Sequence, residues 1–96
     1  MGMCKPSGGI EKVTGRLGDL PTKGTPNSRK DLYNKNGEKI QSRWYDSDGN
    51  VTHNRDYIHG GKDKGIPFPH DHEWYRNENG KPERGDDHLP VNPDFI

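Results

Sequence analysis

Leu, Ile, Val and Phe together supply only 14 of the 96 residues, and Ala is absent. So few aliphatic side chains cannot coat the faces of a helical bundle or fill a coiled-coil seam, and no stretch is apolar enough for a membrane-spanning helix. Aliphatic content this low is usual in disordered chains. Those chains also carry high net charge, whereas here 15 basic and 15 acidic residues cancel. Thirteen glycines and eight prolines are spaced like turn punctuation. The expectation is one small, loop-rich, strand-based domain of marginal stability, with no room for a second core.

What apolar bulk there is comes from aromatics, and seven of the eight lie between Tyr33 and Tyr75. The core is therefore expected over residues 30–76, flanked by an N-terminal arm (1–29) and an acidic tail (77–96). Charge is unevenly shared. Residues 1–45 hold nine basic and four acidic side chains, and residues 46–96 hold six and eleven. Such asymmetry either makes one face basic enough for a polyanion or lets the two halves attract each other across the fold; the second is the simpler reading. The lone Cys4 excludes an internal disulfide and a Cys-based zinc site, and points to a reducing compartment. The stretch from Met1 to Pro6 has no apolar h-region, so no secretory signal is expected.

Ile10, Val13 and Leu17 fall at i, i+3 and i+7, which predicts a short amphipathic helix after Ser7, ended by Gly18. Pro21 and Pro26 make residues 20–27 an extended linker. Asn36-Gly37, set between two strand-like runs, predicts a type I′ hairpin with Lys35 opposite Glu38 and Tyr33 opposite Ile40. Residues 46–50 read as a second turn, and 51–58 as a strand pairing back. After a Gly-rich connector (60–65) comes a fourth strand over 68–75, with Pro69 at its start or on a sheet edge. The expected class is α+β and β-rich: a small antiparallel meander of about four strands, with a short N-terminal helix and an irregular tail.

The chemistry lies in the histidines. Of five, His59, His70 and His72 fall within fourteen positions. On a strand, residues i and i+2 point the same way, so Phe68, His70, His72 and Trp74 would line one face. Imidazole titrates near neutrality, and a pair can take a proton from one oxygen and give one to another. Metal-free RNA cleavage needs such a base and acid, plus a cation beside the phosphorane. Arg43, Arg55 and Lys62 are the candidate cations. Asp56 could orient His59, and Tyr45 could stack a base. Alternatively, His70 and His72 with His59 or Asp56 could hold zinc and activate water. A third ligand at diagnostic spacing is absent, so the expectation is no cofactor, with zinc as the alternative. The plainer structural reading makes this face a hydrogen-bonded margin of the core. Trp44, Trp74 and Tyr57 are expected in the core, and His53 and His88 as solitary surface residues. No Gly-rich phosphate loop and no Ser or Cys nucleophile motif occurs.

Several motifs follow one another in a telling order: Pro26-Asn27-Ser28, Arg43-Trp44-Tyr45-Asp46 with Gly49, Asp56-Tyr57-Ile58-His59-Gly60, and Pro69-His70-Asp71-His72-Glu73-Trp74. Together they resemble the C-terminal toxin domains of bacterial polymorphic toxins, over about residues 20–75. The resemblance implies a ribonuclease, in some members of a barnase–RelE-like α+β fold. It implies action in the bacterial cytoplasm after delivery by a larger secreted protein, and neutralisation by a dedicated immunity protein. Carried onto this chain, it marks His59, His70 and His72, supported by Asp56 and Arg43. The expected partners are RNA and the cognate immunity protein, with no membrane and a monomer when free. A rival from another class is a non-catalytic phage or secretion-associated interaction module. Zero net charge and the acidic tail favour that rival, because nucleic-acid binders are generally basic.

Overall fold

Three segments of one pattern turn the chain back on itself: residues 34–38, 46–50 and 77–81. Each opens on an Asn or Asp whose side-chain oxygen accepts from the backbone amides two and four residues on. Asn34 Oδ1 takes Asn36 and Glu38 at 2.9 and 3.0 Å, Asp46 Oδ1 takes Asp48 and Asn50 at 2.9 Å each, and Asn77 Oδ1 takes Asn79 and Lys81 at 2.9 and 3.1 Å. Each places a glycine fourth, at left-handed φ: 81° at Gly37, 79° at Gly49 and 76° at Gly80. The glycine amide bonds back to the carbonyl of the opening residue. These are three-residue hairpin loops closed by a glycine bulge. The type I′ expectation is corrected here. It needs positive φ at Asn36 as well, and Asn27 is the one non-glycine in that region among the described residues. The longer loop shifts the register, so Tyr33 faces Lys39 and Leu32 faces Gln41, and Tyr33 does not face Ile40.

The computed structural model describes residues 6–57 and 69–96. Six strands make one sheet in chain order: β1 (Ile10–Thr14), β2 (Arg29–Tyr33), β3 (Lys39–Tyr45), β4 (Val51–Asp56), β5 (His70–Arg76) and β6 (Pro82–Arg84). From β2 to β6 every pairing is antiparallel, while β1 lies parallel to β2. The described residues contain no helix, so the α+β expectation and its N-terminal helix give way to an all-β, mixed sheet of six strands. The barnase–RelE-like α+β architecture goes with it. The physical reason is that a single helical turn interrupted by Gly15 cannot repay its nucleation cost, whereas the β2 edge offers a partner along five residues. Of the three residues that suggested the helix, Val13 packs on the core, and Ile10 and Leu17 are exposed. The tail is not wholly irregular either: it holds β6 and a bridge from Leu89 to Asp71. No helix among the described residues is long and apolar enough to cross a membrane.

Among the described residues the aliphatic cluster is Leu20, Leu32 and Ile40 with Val13 against them, and Val51 is buried apart from it. Elsewhere the sheet buries polar side chains, and cross-strand register sorts them by face. Gln41, Arg43, Asn54, Asp56, His70 and His72 stand on one side; Ser42, Trp44, His53, Arg55 and Asp71 stand on the other. On the second side Asp71, with no exposed surface, accepts from His53 (2.6 Å), Arg55 (2.8 and 3.1 Å) and the Asn92 amide (2.8 Å). Burial by itself would push the Asp71 carboxyl up, but these hydrogen bonds and the Arg55 charge hold it down at about 2. The Phe95 ring stacks on His53 at 3.9 Å, Arg55 donates to the Asn92 and Phe95 carbonyls, and Trp44 Nε1 donates to the Ile96 carbonyl. His53 is thus a buried member of a network and not the solitary surface residue expected.

Candidate functional site

The end of β4 and the start of β5 lie side by side, with Asp56 paired to His70 and Asn54 to His72. Opposed residues in an antiparallel pair point to the same face, so the carboxylate and both imidazoles meet there. Asp56 is held by its neighbours: its Oδ1 accepts from Gln41 Nε2 at 2.7 Å and Asn54 Nδ2 at 3.1 Å, and Asn54 Oδ1 in turn accepts from Trp74 Nε1 at 2.7 Å. Its other oxygen, Oδ2, lies 3.4 Å from Nε2 of His70 and 3.4 Å from Nε2 of His72.

The third histidine arrives from far along the chain. Leu89 bridges to Asp71 through two backbone hydrogen bonds of 2.9 Å, which lays the segment after β6 along the free edge of β5. That segment delivers the Gly85 carbonyl and the His88 ring. His72 Nδ1 donates to the Gly85 carbonyl at 2.9 Å; a carbonyl can only accept, so the proton sits on Nδ1. The three rings pack edge-on, His70–His72 at 5.0 Å, His70–His88 at 4.6 Å and His72–His88 at 5.0 Å between centroids. One donor atom from each lies within 4.8 Å of the other two. His70 and His72 are buried and His88 is exposed, so the cluster runs from the sheet interior to the surface. A cavity of about 190 Å³, lined by Pro69, His70, His88, Leu89 and Pro90, opens beside it. Burial pushes the His72 pKa down, against the opposing pull of the Gly85 carbonyl and Asp56, and so favours its neutral form.

Of the residues singled out from sequence, His70, His72 and Asp56 come together. His59, Lys62 and Phe68, with the connector at 60–65, lie outside the described residues. The remaining three take structural roles. Arg43 is buried on the histidine face, donates to the Leu20 carbonyl at 2.6 Å and the Pro21 carbonyl at 3.3 Å, and stacks its guanidinium over Trp74. Tyr45 is 3% exposed and donates to the Pro21 carbonyl at 2.6 Å, which leaves no open ring for a base. Arg55 is committed to Asp71 on the opposite face.

Two site residues escaped the sequence reading. His88 is on the surface as expected but not solitary. Sixteen positions separate it from His72, and no local pattern encodes the Leu89 bridge that brings it back. Arg84 pairs with Trp74 across β5–β6, which puts it on the histidine face, exposed and near enough for its charge to push His72 down. It is an exposed cation on this face, where Arg43 is buried. Compared with protein-family models, curated protein sequences and solved structures, the chain matches none.

Proposed function

We propose that this chain is a nuclease-type domain that cleaves RNA at the His70–His72–His88 centre, and that it acts as a bacterial toxin. The observation that carries the reading is the convergence of three imidazoles and the Asp56 carboxylate beside an open cavity, with Arg84 exposed on the same face. The cluster removes the proton from a ribose 2′-hydroxyl. That oxygen bonds to phosphorus, the bond from phosphorus to the 5′-oxygen breaks, and the departing 5′-oxygen takes a proton back from the cluster. Arg84 neutralises the charge gathering on the phosphoryl oxygens. His70 and His88 line the cavity and are the groups nearest substrate, while His72, held by Gly85, fixes the cluster's geometry. The motif order described above supports the toxin setting: delivery by a larger secreted protein, action in the bacterial cytoplasm and a cognate immunity partner.

The purified chain should cut total RNA and tRNA to fragments ending in 2′,3′-cyclic phosphate. His88→Ala and Asp56→Asn should slow this by about 100-fold or more, the scale of general acid–base contributions. Undiminished cleavage by both variants would remove the centre from the mechanism. The rival reading, a non-catalytic interaction module, draws on the zero net charge and on the burial of His70 and His72. Expression in bacteria separates the two, since a binding module is tolerated and a nuclease stops growth.

A further inference from the structure

We infer that His70, His72 and His88 form a mononuclear transition-metal site, with zinc the ion their donor set fits best. The first support is convergence. Around a tetrahedral ion with bonds of ~2.0–2.1 Å the donor atoms stand ~3.3–3.4 Å apart, so rings whose donor atoms lie within 4.8 Å have at most about 1.4 Å to close. His88, exposed on the segment after β6, can supply that movement by side-chain rotation.

The second support is the state of His72. Its Nδ1 donates to the Gly85 carbonyl, so in the neutral ring Nε2 is the electron-pair donor. Metal-bound imidazoles are commonly held this way by a backbone carbonyl or carboxylate on the far nitrogen. The third is charge. Asp56 Oδ2 lies 3.4 Å from Nε2 of both His70 and His72, so a carboxylate stands beside the nitrogens that would bind the ion. Asp56, fixed by Gln41 and Asn54, brings a negative charge to a dication without having to move.

The donor types select the metal class. Imidazole suits zinc, copper, nickel and iron, whereas calcium and magnesium demand oxygen donors that three histidines do not provide. Three protein ligands would leave one position of a tetrahedral ion open, the arrangement of catalytic and not of structural zinc. Whether the ion binds is independent of the nuclease reading; its use in catalysis rests on that reading. There, an ion held by His70, His72 and His88 would supply a bound water that is acidic near neutrality.

The test titrates zinc chloride into the metal-free full chain by calorimetry, with calcium chloride in parallel and cobalt(II) as a spectroscopic probe. The expected result is one zinc per chain, no calcium, and the visible absorption of tetrahedral cobalt. His88→Ala should weaken zinc by at least about 100-fold, the upper end of the loss when only an outer partner of a ligand is removed. The cobalt spectrum of the unaltered chain reads the tetrahedral geometry without any variant, so a misfolded variant does not spare the proposal. No zinc uptake overturns the site, and so does zinc affinity unchanged in a folded His88→Ala protein. Zinc bound at one per chain with no RNA cleavage upholds the site and refutes the nuclease. Cleavage in EDTA by a chain that takes up no zinc refutes the site and leaves the nuclease standing.

Discussion

Asp71 has no exposed surface, yet it stays a carboxylate because every approach to it is a donor: His53, Arg55 and the Asn92 amide. Removing the acceptor leaves the buried Arg55 guanidinium without its counter-charge and the His53 imidazole without its carboxylate partner. Asp71→Ala should therefore cost about 3–5 kcal/mol, the range for breaking a buried ion pair from one side. Urea unfolding followed by tryptophan fluorescence gives the figure directly. Tyr45 makes a subtler case at the same scale. Burial raises its phenol from 10 to about 12, against the lowering effect of Arg43. The folded state thus holds the phenolic proton more tightly than the unfolded chain. The associated stability is complete below pH 10 and is lost as pH climbs toward 12. A two-unit difference amounts to about 2–3 kcal/mol. Urea midpoints should fall over that interval in the native chain. In Tyr45→Phe that fall should vanish, at a cost near neutrality of about 1 kcal/mol for the lost bond to Pro21.

Turns set the limits of what could be read at the level of elements. The three Asn/Asp-x-Asn/Asp-Gly segments are visible in the sequence, and they mark the β2–β3, β3–β4 and β5–β6 junctions because each ends one strand and starts the next. The hairpin type is not legible in the Asn36-Gly37 pair alone, because the Asn34 side chain closes the loop from outside that pair. The period-two spacing of His70 and His72 was also legible. β1 was not, since its parallel pairing depends on the chain looping through residues 15–28, and three apolar residues cannot tell an edge strand from a helical turn. His88 was hidden for the same reason: its partner contacts depend on a single bridge across eighteen positions. The turns are not equivalent, however. Gly37 has φ 81° and open space where a Cβ would go, so Gly37→Ala should cost about 1–2 kcal/mol of backbone strain alone. Gly49 has φ 79°, but a Cβ there would lie 2.4 Å from the Gly24 carbonyl oxygen, and Gly24 donates to the Gly49 carbonyl at 2.9 Å. Gly49→Ala should cost clearly more than Gly37→Ala in the same urea assay; equal losses would mean the close approach is readily relieved.

For the molecule as a whole, the question is what replaces the missing aliphatic core. With four residues in the apolar cluster, the sheet depends on polar networks on both faces, and one C-terminal stretch serves both. Up to Leu89 it supplies Gly85 and His88 to the histidine face; beyond the bridge to Asp71, Asn92, Phe95 and Ile96 cover the opposite face. The two faces should then contribute separately to one unfolding transition. Phe95→Ala removes the stack on His53 and the edge contact with Trp44, for a loss of about 1–3 kcal/mol from a half-buried ring. Zinc at about 100 times its dissociation constant should add about 2.7 kcal/mol by mass action on the folded state. For a chain of this size each kcal/mol moves the melting temperature by roughly 4–8 °C. Because the perturbations sit on opposite sides of β5 with no shared partner, the increment from zinc should be the same in Phe95→Ala as in the native chain, within the ~0.5 kcal/mol typical of independent sites. Calorimetric melts of both proteins, with zinc and with EDTA, read this out. A zinc increment that shrinks in Phe95→Ala would mean that the C-terminal stretch moves as one piece and couples the two faces through Leu89.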